Sequence, residues 1–323
     1  MGSRADTVIQ WLLAGDPAIR WQVMRDLAGA ADDAVECERR EIAREGWGAR
    51  LLAKQDAEGT WAGGLSSDGG LYSPKWTSTT YTMMLLRDFG LPVTSQPVRK
   101  ACALLLDRGL QLDGGISYGN WAKWIGRGET CITGMVLSIL SYFEHADPRL
   151  DSIARHLLEQ QMSDGGWNCR RWKGATHASV HTTISVLEGL RFYELHGGRE
   201  AREAQAAQHR GREFLLVHRL FRSHRTGRII KTEFTRFAFP PRWHYDILRV
   251  LDYFQAAHAR CDPRLAEAID IVRGRRGEDG RWPLQNHYRG KTYFELERRG
   301  APSRWNTLRA LRVLNWWNQG TAA

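Results

Sequence analysis

Residues 157–167 read Leu157-Leu158-Glu159-Gln160-Gln161-Met162-Ser163-Asp164-Gly165-Gly166-Trp167, and Leu157, Gln161, Gly165 and Trp167 fit the template Leu-x3-Gln-x3-Gly-x-Trp. Leu51, Gln55, Gly59 and Trp61 fit it again without a gap. Two looser copies, Leu106, Leu110, Gly114 and Ile116, then Val272, Arg276, Gly280 and Trp282, keep the glycine two residues before an apolar side chain. A worn copy falls at Gly227 to Ile229. A motif returning every 50 to 60 residues or so signals a stacked or closed repeat, with room for two helices and two loops per unit.

Outward from each turn the apolar spacing is that of an amphipathic helix ending at the glycine, then a loop, then a second and more apolar helix. Twelve helices are predicted, at 6–14, 17–30, 33–55, 77–89, 95–109, 129–145, 148–161, 178–196, 199–220, 243–259, 262–275 and 303–318. Asp16-Pro17, Asp147-Pro148 and Asp262-Pro263 each supply a capping carboxylate and a first-turn proline. With no strand pattern, the expected fold is all-α: six helix pairs closing into an α6/α6 toroid, a single domain over 1–323. The long loops 56–76, 110–128, 221–242 and 276–302 would then gather at one mouth, where long loops carry function.

Composition narrows the function. With 42% hydrophobic and 25% charged residues the chain can bury a large core. A mean hydropathy of -0.47 and the lack of an 18-residue apolar run predict no transmembrane helix, and the absence of a leader pattern predicts a cytoplasmic protein. Five cysteines, without a Cys-x-x-Cys pair, are expected to be reduced thiols. The net charge of +10, carried mainly by arginine, suits an anionic ligand such as a diphosphate. Nucleic acid is not expected, because the arginines form no single stripe, and the lack of phosphate-loop and dinucleotide glycine signatures predicts no nucleotide cofactor.

The Leu-x3-Gln-x3-Gly-x-Trp turns, in an all-helical chain, resemble the QW repeats of terpenoid cyclases and protein prenyltransferases, and most of the chain is covered by the likeness. Small bacterial proteins with prenyltransferase and squalene-oxidase repeats are closest in flavour. Lys123, Arg127, Glu129 and Cys131, followed one repeat later by His181-Thr182, resemble the diphosphate-binding and zinc-binding stretch of a prenyltransferase β subunit. The resemblance implies that Lys123 and Arg127 face a diphosphate while Glu129, Cys131 and His181 hold Zn2+. Cys169 and His177 are further candidate ligands, and a Cys, Cys, His set is also similar to that of lanthionine cyclases. Here glutamate stands where the family has aspartate, and Ile132 where it has tyrosine.

Arg242-Trp243-His244-Tyr245-Asp246 opens another predicted helix and suggests a cyclase-like acid, Asp246 oriented by His244, although the family's Asp-x-Asp-Asp motif is absent. Asp32, Asp33 and Glu36 are read as helix-start acids, with Asp33 and Glu36 as a capping pair, rather than as a magnesium motif.

The expectation is therefore an isoprenoid-handling enzyme with a prenyl or polyprenyl chain in a central apolar cavity. Lys123, Arg127, Arg242 and Arg304 would bind the anion, and Trp76, Trp243 and Trp305 would border the apolar pocket. The alternatives are protonation-initiated cyclisation by Asp246, and a non-catalytic toroid that binds a lipid or a protein partner. The loop from Phe234 to Trp243 is a candidate for peripheral membrane contact, or else for lining the cavity.

Overall fold

The computed structural model describes residues 4–62, 66–119 and 126–322. The chain is all-helical, with no β-strand among the described residues and only isolated bridge pairs in the loops. The helices are α1 (Arg4–Leu13), α2 (Pro17–Asp26), α3 (Asp32–Arg40), α4 (Gly46–Leu52), α5 (Thr79–Phe89), α6 (Gln96–Gly109), α7 (Thr130–Tyr142), α8 (Arg149–Glu159), α9 (Val180–Leu195), α10 (Ala201–Val217), α11 (Ile247–Ala256), α12 (Ala266–Gly274) and α13 (Arg304–Ala322).

Two helix types alternate. In α8, Leu150, Ile153, Ala154 and Leu157 form one buried stripe at i, i+3, i+4 and i+7 spacing. In α7, every residue from Ile132 to Ser141 is buried, as is every residue of α5 from Thr79 to Arg87. The buried helices follow one another in space. α5 packs on α7, α7 on α9, α11 on α13, and α13 returns to α2. A Glu188–Arg249 ion pair joins α9 to α11, and the Trp21 indole N–H donates to the Phe89 carbonyl at 2.7 Å between α2 and α5.

The repeated turns share one hydrogen-bond pattern. The indole N–H of Trp61, Trp167 and Trp282 donates to the carbonyl ten residues earlier, at Leu51, Leu157 and Val272, with distances of 2.8, 2.7 and 2.7 Å. The backbone N–H of the same tryptophans donates at 3.0 Å to a threonine of the next buried helix: Thr79, Thr183 and Thr307. Ile116 N–H meets Thr133 in the same way at 2.9 Å. The glutamine ties its own turn to the next amphipathic helix. Gln161 donates to Gly165 O and Ala207 O, and Gln55 donates to Gly59 O and Pro97 O. Gly165 is required twice over: its φ is +91°, and a Cβ there would stand 2.6 Å from the Arg210 carbonyl oxygen.

Three expectations need correction. The predicted helix 33–55 is broken into α3, a short 3-10 turn and α4, because Asp16 Oδ2 accepts the Trp47 N–H at 2.7 Å and Gly46 takes a φ of +68° against that carboxylate. The cap of α3 is Ala31, without a side-chain bond, so Asp33 and Glu36 are not a capping pair; Glu36 pairs with Arg39 and Arg40 instead. The worn repeat at Gly227 keeps the positive φ but not the staple, since Ile229 is 45% exposed on an outward-facing segment.

Candidate functional site

Buried helices α2, α5, α9, α11 and α13 surround a cavity of about 160 Å³. Its wall combines the apolar surface expected with a set of charged side chains. Arg87, Arg191, Arg242, Arg249, Arg309 and Arg312 line it, against three carboxylates, Asp88, Glu188 and Asp252. Met84, Phe192, Phe239, Tyr253 and Trp305 complete it. A buried charge persists only when it is paired and hydrogen-bonded, and most of these are. Arg249 grips Glu188 through two bonds of 2.8 and 2.7 Å, Arg309 and Arg312 share Asp252, Arg312 reaches Asp26 at 3.1 Å, and Arg87 contacts Asp88 and Ser138. Burial pushes Glu188 upward, but the Arg249 guanidinium outweighs it and holds the carboxyl below the usual range.

Two guanidinium groups are left over. Arg191 donates to the Ala256 carbonyl at 2.9 Å and lies over the Phe192 ring, and burial holds it below the ordinary arginine value. Arg242 is 8% exposed and has no hydrogen bond or ion pair among the described residues. Burial brings its pKa down to about 10. Its guanidinium lies 5.5 Å from the Trp76 ring centroid, and its φ of +57° is uncommon for a residue other than glycine. The positive φ follows Pro240-Pro241, where the chain turns before α11.

Beyond Arg242 stands an aromatic cluster. His244 is sandwiched between Trp243 and Tyr288, with centroids 3.8 and 3.6 Å away, and Trp76 meets Tyr81 edge-on at 4.8 Å. His181 lies edge-on to Phe234 and Trp243, and its Nδ1 accepts the Tyr245 N–H at 2.9 Å. The Lys75 ammonium lies 5.5 Å from the Trp243 ring. Thr77 Oγ1 and Trp243 Nε1 are buried without a partner among the described residues.

Burial first, then neighbouring cations, brings His181 to about 4 and His244 to about 3. Both rings are neutral in the native state at physiological pH. A base whose folded pKa is depressed contributes stability that is present above its unfolded value near 6.5 and is lost as pH falls toward the folded value. Denaturant titration of the wild type and of His181→Asn from pH 7 to pH 4 is therefore expected to give a steeper stability loss for the wild type; parallel curves would contradict the buried neutral imidazole.

The residues expected to carry chemistry are distributed differently from the prediction. Asp246 is fully buried as the N-cap of α11, with Oδ1 accepting the Arg249 N–H at 2.9 Å and Oδ2 the Ala238 N–H at 3.4 Å. Burial raises its pKa, yet it makes no hydrogen bond to His244, so the acid pair is not assembled. Arg304 faces α1, with its guanidinium 4.5 Å from the Trp11 ring and Nε donating to Trp11 O at 3.1 Å. Arg127 is exposed, and Lys123 lies outside the described residues. Of the three expected anion-binding residues that are described, Arg242 is the one that lines the cavity. Trp305 lines it too, stacked on Phe239 at 4.0 Å, while Trp76 and Trp243 belong to the aromatic cluster. Phe234, Phe237 and Phe239 are buried, so their rings face the interior. No helix is long and apolar enough to cross a membrane among the described residues.

The expected zinc ligands do not converge either. Cys131 and Cys169 are half-buried free thiols, Glu129 accepts from Ser117 at 3.2 Å, His181 is engaged as above and His177 is exposed on its loop. Among the described residues no three His, Cys, Asp or Glu side chains are placed to hold a metal ion. The set does not fit a zinc centre. Apart from Arg242, the cavity arginines and carboxylates were missed, although a signal exists: Glu188 and Arg191, Arg249 and Asp252, and Arg309 and Arg312 are charged pairs at i, i+3 on the buried helices.

No protein-family model matches the chain, and no curated protein matches it. Among solved structures, a crystal structure of a protein from Actinoplanes aligns with 98% of this chain and 100% of that chain, at 16% identity and a TM-score of 0.47. A likeness of that degree carries no argument about the fold or the activity.

Proposed function

We propose that the chain is an α6/α6 toroid whose central cavity takes a compact organic anion of the short-chain prenyl diphosphate class. The ring closure is supported by the cyclic order of contacts through α2, α5, α7, α9, α11 and α13, and by the repeated turns that resemble QW repeats. The observation that carries the ligand class is Arg242, a buried cation with no hydrogen bond or ion pair among the described residues, facing a cavity with twice as many guanidinium groups as carboxylates. Planar guanidinium groups match phosphate oxygens in bidentate pairs. The stacked Phe239–Trp305 rings and Phe192 offer apolar faces for an unsaturated arm, and such faces also stabilise a developing cation. Arginines around a diphosphate would hold it as a leaving group, which is the step that allylic ionisation requires.

The cavity volume limits the arm. At about 160 Å³ it falls below the roughly 300–1,000 Å³ of pockets that enclose drug-sized ligands, so a polyprenyl chain is excluded from this arrangement. Calorimetric titration is expected to rank dimethylallyl diphosphate above farnesyl diphosphate and above inorganic diphosphate. Equal affinity for all three would remove the role of the apolar wall, and no binding of any of them would sink the proposal.

A further inference from the structure

We propose that His218 and His224 form a two-imidazole site for a divalent late transition metal ion, of the Ni2+ or Cu2+ class, at the C-terminal end of α10. The site uses none of the residues that line the cavity and none of those expected to hold zinc, and it does not rest on the anion-binding reading.

The first imidazole is fixed by the helix it ends. His218 is the C-cap of α10, its ring centroid lies 4.7 Å from that of buried Phe214, and its Nδ1 is 2.8 Å from the Phe214 carbonyl oxygen. A carbonyl only accepts, so Nδ1 carries the proton and Nε2 presents a lone pair. Metal-ligating histidines are oriented in this way, by a hydrogen bond from the other ring nitrogen. The second imidazole is brought back to the first by the backbone. Arg219 and Leu220 both have positive φ, +43° and +66°. Arg219 takes the left-handed closing position usually given to glycine, and the Leu220 N–H donates to Leu215 O at 3.0 Å. Leu220 repeats the conformation with a bulky side chain, an uncommon and strained arrangement. The Arg222 N–H then donates to His218 O at 2.7 Å, and the Ser223 N–H donates to Arg228 O at 2.8 Å, closing the next loop. At the head of that loop, His224 places Nδ1 3.1 Å from His218 Nε2, with the two rings at 84°.

In the metal-free chain His224 Nδ1 donates to His218 Nε2. Moving that proton to His224 Nε2 and turning the exposed ring leaves two lone pairs facing one point, so a metal ion replaces the hydrogen bond with no net release of a proton. With metal–nitrogen bonds of about 2.0–2.1 Å, a separation of 3.1 Å gives an angle of about 95–100° at the metal. That is nearer the right angle of tetragonal or octahedral coordination than the tetrahedral angle, which favours Ni2+ or Cu2+ over Zn2+. Among the described residues no third His, Cys, Asp or Glu joins the pair, so water fills the remaining positions. The surrounding charge limits the affinity: Glu267 neutralises Arg222, while Arg219 and Arg225 have no ion pair among the described residues.

The test uses the untagged full chain carrying Cys37→Ser, which removes the exposed thiol, and Ni2+ alone as the probe, with no diphosphate present. Calorimetric titration is expected to give one ion per chain, and proton NMR to show paramagnetic broadening of the His218 and His224 ring signals before those of any other histidine. His224→Ala, at an exposed position, and His218→Gln should each weaken binding by about tenfold or more, whereas His287→Ala, exposed on another loop, should leave it unchanged. No Ni2+ binding, affinity retained in the His218→Gln, His224→Ala double variant, or earlier broadening at another histidine overturns the proposal. The NMR readout on the parent chain decides even if His218→Gln fails to fold, and none of these outcomes depends on prenyl diphosphate binding.

Discussion

Arg242→Met is expected to lose prenyl diphosphate affinity by roughly a hundredfold and, at the same time, to raise the stability of the ligand-free protein. Truncating one partner of a buried charge pair costs about 2–5 kcal/mol of binding, and each 1.4 kcal/mol or so is a factor of ten. The gain in the free protein follows from the same guanidinium. Its pKa is brought down from 12.5 to about 10 because burial outweighs the attraction of the neighbouring Tyr81 and Asp88. For a base depressed on folding, the penalty is fully present at neutral pH and is relieved only as pH rises above the folded value. That penalty is on the order of 3 kcal/mol, and methionine fills a similar volume without a charge. Calorimetry with dimethylallyl diphosphate and urea denaturation without ligand measure the two halves. A variant that is both less stable and still able to bind would show Arg242 to be a structural residue with a partner in the protein. Arg249→Met is the contrasting case: it strands the Glu188 carboxylate, so stability should fall by about 3–5 kcal/mol.

Trp167→Ala is expected to lower stability by about 4 kcal/mol, since it opens a large cavity and deletes the indole bond to Leu157 O. Trp167→Phe keeps the ring packing and loses the bond, which should cost about 1 kcal/mol beyond the change in ring size. The worn copy provides the control, because Ile229 points outward and Ile229→Ala should stay within about 0.5 kcal/mol of the parent. Urea midpoints with unchanged slopes would establish these as stability effects. A loss below about 1 kcal/mol for Trp167→Ala would show that the staple is not what holds neighbouring units together.

The repeat was readable because its parts are close in the chain. Ten residues separate Trp167 from Leu157 and four separate Gln161 from Gly165, so one helix end and one glycine turn contain most of the geometry. The alternation of striped and more fully buried helices was readable for the same reason, since helical period is a property of neighbouring residues. The break at residues 41–46 was not, because the carboxylate that stops the helix is Asp16, thirty-one residues before the Trp47 amide it accepts. Asp246 stood out as an acid near a histidine, but its backbone places both oxygens on amide N–H groups, and a cap and a catalytic acid look alike in one dimension.

Helix type, turn chemistry and the spacing of the tryptophan staples follow from contacts within a few residues, where backbone geometry leaves little choice. The cavity follows from something else. Arg87, Glu188, Arg249, Asp252 and Arg312 come from four helices far apart in the chain, and each could have faced a neighbour in its own repeat or a partner across the centre. Which charges pair, and that Arg242 is left without one, depends on the rotation of each helix about its axis when the last helix packs against the second. That rotation is set by side chains interlocking across the whole molecule, and no local pattern encodes it.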